Sequence, residues 1–229
     1  MRLIASDTSL LLPGLLSATG QRRRLLVVLA YGAASYYARF GKDEAAALEQ
    51  RAARSGTEPG GLPISDLIAR AAEQTAQFEE LLPAMTPNDL LLVGGAYLFD
   101  EVERKLRQRG DRIARGVVDS GAVVRLLQAI CGSVVPPFPL TETPLHTDGR
   151  DRNDDPLIEI GLRAGAIAMV SDDRRHLSLA ADAPTVYRST VSGAELLAYQ
   201  FAPFVEEVVN TLHFNLSDVD PDLLRFAYR

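Results

Sequence analysis

The sequence predicts an α/β protein of three layers, a central parallel sheet with helices on both faces, interrupted by one helical insertion. Short apolar runs at 2–6, 90–93, 133–135, 166–171 and 185–188 have the length and composition of strands. These runs alternate with helix-length patterns, and a strand that returns through a helix lies parallel to its predecessor and leaves helices on both faces. The run Leu90-Leu91-Leu92-Val93 lacks polar alternation, as a strand buried on both faces requires.

The first strand ends at Asp7-Thr8-Ser9, which sets Asp7 at its carboxyl edge. Pro13 and Gly14 read as a turn, and 21–39 has the apolar density of a helix packed on a sheet. The character changes over about 41–85, where two helical patterns, 44–54 and 65–82, flank a Gly- and Pro-rich break. This is the insertion, and Ser65 is placed to cap its second helix. Thr86-Pro87-Asn88 turns the chain into the strand at 90–93, and a helix over 100–109 follows, with Leu98, Val102 and Leu106 at four-residue spacing. A helix at 122–130 leads to the strand at 133–135, a Pro-rich loop, a helix at 156–164 and the strand at 166–171. The last strand expected is 185–188, ahead of 193–199. The main domain is thus 1–200, and 201–229 is a C-terminal helical tail whose amphipathic part, 204–212, suits packing or a partner helix.

With 229 residues, 47% of them hydrophobic, the chain is long enough to bury a sizeable core. A single cysteine and three histidines exclude a disulfide framework and argue against a zinc cluster, and a reducing, cytoplasmic setting is expected. Asp7 and Pro13 break the N-terminal apolar run that a secretory leader would need, and Leu25–Ala34 falls short of the roughly twenty residues of a membrane span, so no membrane association is expected. A net charge of −6 counts against a polyanionic substrate, but the basic residues are clustered. Arg22 to Arg24 form one cluster, Arg104, Lys105, Arg107, Arg109, Arg112 and Arg115 another, and Arg150, Arg152, Arg174 and Arg175 flank acids near the later strands. Each cluster reads either as a solvated face or as a phosphate-binding flank. Arg104, Arg174 and Arg175, beside the candidate acids, are the candidate substrate contacts.

Ligands of an open parallel sheet sit beyond the carboxyl ends of its strands. Asp7 follows the first strand there and Ser171-Asp172-Asp173 the fourth, while Glu101 lies early in the helix after the second strand and Asp154 just before the helix that precedes the fourth. Carboxylates gathered from distant positions repel one another, and a cation is the usual reason to gather them. Hard Mg²⁺ or Mn²⁺ fits an all-oxygen set and, held as a pair of ions, would serve phosphodiester hydrolysis. Ser9 and Ser171 are candidates to orient a carboxylate by hydrogen bonding, and Asp155 and Glu103 are rivals for the places given to Asp154 and Glu101. Taken singly, Asp7 reads as a helix cap and Glu101 as a first-turn acid favoured by the helix dipole.

Three segments resemble the signatures of PIN-domain nucleases: Leu3-Ile-Ala-Ser-Asp7-Thr-Ser-Leu-Leu, Asp100-Glu101-Val-Glu-Arg-Lys-Leu106, and Asp154 through Ser171-Asp172-Asp173 to His176. The resemblance implies a PIN-like fold with Asp7, Glu101, Asp154 and Asp173 as catalytic and metal-binding acids. It further implies Mg²⁺- or Mn²⁺-dependent cleavage of RNA, and many small relatives are toxin ribonucleases paired with an antitoxin protein. Asp172 stands where the pattern has Gly, and either adds a fifth carboxylate or tightens the turn. Besides RNA and an antitoxin, a homodimer through apolar faces of the tail is an expected partner. Competing readings are a catalytically silent PIN-like scaffold that binds RNA or protein and a haloacid-dehalogenase-type phosphatase, which needs an Asp where Ser9 stands. No Gly-rich turn follows the first strand, which disfavours a dinucleotide-binding enzyme.

Overall fold

The computed structural model describes residues 2–17, 19–33, 35–36, 90–108, 120–135, 138, 154–173, 184–212 and 215–228. The expected insertion helices, most of the Pro-rich loop, Arg174, Arg175 and the three histidines lie outside the described residues. Strands β1 (Arg2–Ser6), β2 (Leu90–Gly95), β3 (Cys131–Val135), β4 (Ala168–Ser171), β5 (Thr185–Arg188) and β6 (Glu195–Gln200) form one sheet in the order β3-β2-β1-β4-β6-β5. Every neighbouring pair is parallel except β5 and β6.

β1 is central because its residues are apolar on both faces: Ile4 and Ala5 are buried, as are all six residues of β2 beside it. Gly94 and Gly95 show how the two faces are covered. A Cβ on Gly94 would stand 2.6 Å from Phe99 Cζ in α3 (Ala96–Gln108), and one on Gly95 would stand 2.9 Å from Ile160 Cδ1 in α5 (Asp155–Ala164). Consecutive strand residues face opposite ways, so α3 and α5 pack on opposite faces and each needs a glycine to approach closely. α4 (Ser120–Ile130) lies alongside α3 and contributes Val123, Leu126 and Leu127 to the core.

Four expectations are corrected. Pro13 and Gly14 form no turn; they lie within α1 (Thr8–Leu16), which Asp7 caps and whose Leu10, Leu11, Leu12 and Leu15 are buried. That burial outweighs the hydrogen bond a mid-helix proline forgoes. Gly14 is there for closeness to α2 (21–33), since a Cβ would meet Leu26 Cδ1 at 2.8 Å and the Arg22 carbonyl oxygen at 3.1 Å. The second correction is an additional strand: 195–200 is β6, inserted between β4 and β5. Its Glu-Leu-Leu-Ala-Tyr-Gln sequence has ordinary helix formers, and the pairing of Val170 with Tyr199 beside β4 overrides them. The third is that β5 runs antiparallel to β6, because only a tight turn joins them. In it Ser189 N donates to the Ala194 carbonyl, and Gly193 takes φ 72°. The strand after α5 is also shorter than the expected 166–171, starting at Ala168.

The tail is docked through its side chains and its backbone. Phe204, Val208, Val209, Leu216, Val219, Leu223 and Leu224 are buried. Arg23 donates to the carbonyls of Ser17 and Pro221 at 3.0 Å each, and Arg24 to those of Val219, at 2.5 Å, and Ser217. The Arg22–Arg24 cluster therefore works inside the molecule, fastening the tail. Among the described residues no helix is long and apolar enough to cross a membrane.

Candidate active site

The strand order sets where a ligand can enter. The chain leaves β1 toward β2 and β3 and then crosses to β4 on the other side, so the carboxyl ends of β1 and β4 bound the topological switch point of the sheet. Asp7 and the turn 171–173 meet there.

Asp7 is 5% exposed, and both of its oxygens are engaged. Oδ1 accepts from Ser9 Oγ at 2.8 Å and from Leu10 N at 3.3 Å, while Oδ2 accepts from Ser171 Oγ at 2.7 Å. Each serine is also an acceptor, Ser9 Oγ from Asp172 N and Ser171 Oγ from Asp173 N, both at 2.9 Å. Two hydroxyls thus lash the β4 turn to the β1 carboxylate, which is the orienting role expected of Ser9 and Ser171. Burial pushes the Asp7 carboxyl up to about 6 from an ordinary 3.8, against the opposing pull of Ser171, Ser9, the Leu10 N–H and the positive charge of Lys105. Asp7 is thus a helix cap as well as a candidate site residue, since the Leu10 contact caps α1.

Glu101 reaches the same edge from α3. It is the sixth residue of that helix, beyond the first turn, and is 7% exposed, so the helix dipole does not explain it. Its Oε1 accepts from Thr8 Oγ1 at 3.2 Å and pairs with Lys105 Nζ at 2.7 Å; Lys105 also donates to Thr8 Oγ1. Its Oε2 is buried and has no hydrogen-bond partner. Thr8, which sequence reasoning passed over, is the link between Asp7 and Glu101; its place directly after the strand acid was the available signal. The rival Glu103 faces outward and pairs with Arg107 at 2.6 Å. Arg104 is largely exposed, 3.9 Å from Glu101 Oε1.

Asp154 is the N-cap residue of α5, and its carboxylate accepts none of that helix's first N–H groups. α5 leads from this edge back to the start of β4, so Asp154 and the adjacent Asp155 begin it on the carboxyl side of the sheet. Asp173 is half-buried at the tied turn. Asp172 does not double it, because its Oδ2 pairs with Arg22 Nε at 2.5 Å and its backbone N–H goes to Ser9. Arg22 also stacks 5.4 Å over the Phe201 ring, joining the turn to the start of the tail. Among the described residues no three His, Cys, Asp or Glu side chains stand already arranged around a cation position. Glu101 instead turns Oε1 to the Lys105 ammonium.

The donor set nevertheless fits a hard cation. With two acceptor positions per oxygen, Asp7 Oδ1 is saturated by its two donors, whereas Oδ2 retains one, and Glu101 Oε2 retains both of its positions. Buried carboxylate oxygens with spare lone pairs among hydroxyls suit Mg²⁺ or Mn²⁺. Comparison with protein families, with curated proteins and with solved structures finds no match to this chain.

Proposed function

We propose that this protein is a Mg²⁺- or Mn²⁺-dependent nuclease of the PIN type that hydrolyses phosphodiester bonds of RNA. The observation that carries the reading is Asp7, a buried carboxylate at the switch point, lashed by Ser9 and Ser171 to the turn bearing Asp173 and linked through Thr8 to the buried Glu101. Burying the Asp7 and Glu101 carboxylates costs stability, and a bound cation would offset it. Asp7 and Glu101 would hold the ion, with Asp154 and Asp173 completing the set from the helix before β4 and the turn after it. When bound, it would activate a water and stabilise the leaving oxygen of the phosphodiester. Ser9 and Ser171 fix the face that Asp7 presents, and the Asp172–Arg22 pair holds the turn against drift. Arg104, exposed at the rim, is placed to meet a phosphate. Pairing with an antitoxin protein belongs to this reading, and the single buried Cys131 suits a reducing, cytoplasmic setting.

The Lys105–Glu101 pair favours a second reading, a catalytically silent scaffold in which the ammonium replaces the ion for good. Cleavage of labelled single-stranded RNA with Mn²⁺, Mg²⁺ or EDTA decides between them, comparing wild type with Asp7→Asn and Asp173→Asn. The nuclease reading expects metal-dependent cleavage, reduced at least a hundredfold in both variants, roughly the 3 kcal/mol of transition-state stabilisation that a key charged group supplies. A wild type that binds the ion and cuts no RNA or DNA gives the scaffold reading the lead.

A further inference from the structure

Lys105 is the residue at this site that the nuclease reading leaves without a task. It lies four residues after Glu101 on α3, about a third exposed, and its ammonium bridges Glu101 Oε1 at 2.7 Å and Thr8 Oγ1. An ordinary i,i+4 pair lies on a helix surface between two solvated groups. Here the carboxylate is 7% exposed and its second oxygen is buried without a hydrogen-bond partner. The lysine side chain, about a third exposed, can withdraw its head into water by rotating, without moving the backbone.

We propose that Lys105 is a built-in counter-cation of the Asp7–Glu101 site, which a divalent ion displaces on binding. The inference rests on the metal-dependent reading above. Without the ion, the ammonium compensates Glu101 and, through space, Asp7, whose carboxyl its charge also helps to keep ionised. With the ion on Glu101, two cations would share one buried carboxylate, and the singly charged, partly exposed one leaves. Lys105 thereby sets a threshold ion concentration below which the site stays closed.

Calorimetric titration with Mn²⁺ of wild type, Lys105→Met and Lys105→Arg tests this. Removing a competing unit charge at this range is expected to tighten Mn²⁺ binding by about tenfold in Lys105→Met, while Lys105→Arg stays near wild type. Circular dichroism establishes that each variant is folded. Unchanged or weaker binding in a folded Lys105→Met overturns the proposal, since the lysine would then be holding Glu101 in place for the ion. Reductive methylation read by mass spectrometry gives a second measure on the wild-type chain. Lys105 is expected to react faster with saturating Mn²⁺ than with EDTA, and equal rates while calorimetry shows bound Mn²⁺ overturn displacement. If neither wild type nor variants bind Mn²⁺, the metal-dependent reading itself fails.

Discussion

At Asp7 one carboxylate serves as a helix cap through Oδ1 and keeps Oδ2 for the proposed ion. Its Oδ1 caps α1 through Leu10 N, as a turn acid does, yet the residue is also buried and tied to β4, and its carboxyl rises to about 6. The stability consequence has a definite sign. A folded-state value above the unfolded 3.8 means that the folded chain holds the proton more tightly. The associated stability is fully present below about 3.8 and is lost as pH rises through about 6. At pH 7 the ionised Asp7 therefore costs the metal-free fold on the order of 3 kcal/mol. Asp7→Asn is expected to raise the melting temperature of the EDTA-treated protein at pH 7 and to lose that advantage toward pH 4. Thermal melts across that range check it, and a variant less stable than wild type at every pH contradicts the assignment.

At the scale of elements, the site depends on how closely helices approach the sheet. α5 carries Asp154 at its start and lies against β1 and β6 through Gly161, where a Cβ would stand 2.7 Å from Leu196 Cδ2 and 3.0 Å from Ala5 Cβ. The leucine can rotate, but the alanine belongs to the central strand and cannot. Gly161→Ala is expected to lift the helix and cost about 1–3 kcal/mol through overpacking, even though alanine is the better helix former. A fall in denaturant midpoint with an unchanged slope is the expected observation. A rise in the midpoint would mean that α5 accommodates the methyl group.

The whole molecule is closed by its tail. Arg22, Arg23 and Arg24 pair successively with Asp172, Ser17 with Pro221, and Ser217 with Val219, so one arginine run clamps the turn after β4 and the 217–221 stretch of the tail. The tail shields apolar surface of the same core that holds the sheet, with Leu224 fully buried. Leu224→Ala is expected to destabilise the fold by about 2–5 kcal/mol. Arg24→Ala is expected to speed amide exchange at 216–224 while leaving β1 and β2 protected, as hydrogen exchange with mass spectrometry reports. Equal exchange in Arg24→Ala and wild type would show that the apolar contacts alone hold the tail.

Continuous apolar runs marked β1, β2 and β4, and the positions of Asp7 and the 171–173 turn after them followed directly, because a buried strand must be apolar and must end where polarity begins. The helix at 156–164 was legible for a similar reason, with proline near its start and glycine past its end. Local composition could not reveal β6, whose residues are indifferent between helix and strand and are decided by the open edge of β4. It could not show that α1 runs through Pro13 and Gly14, which burial against α2 decides. Nor could it choose Glu101 over Glu103, two residues apart on one helix, until packing turned the first inward and the second to solvent. The sequence by itself determined β1 to β5 and the acids that follow β1 and β4. Only the tertiary structure decided which acids are buried, that Thr8 and Lys105 stand between them, and that Arg22–Arg24 face the tail, because side-chain direction and desolvation depend on neighbours far away in the chain.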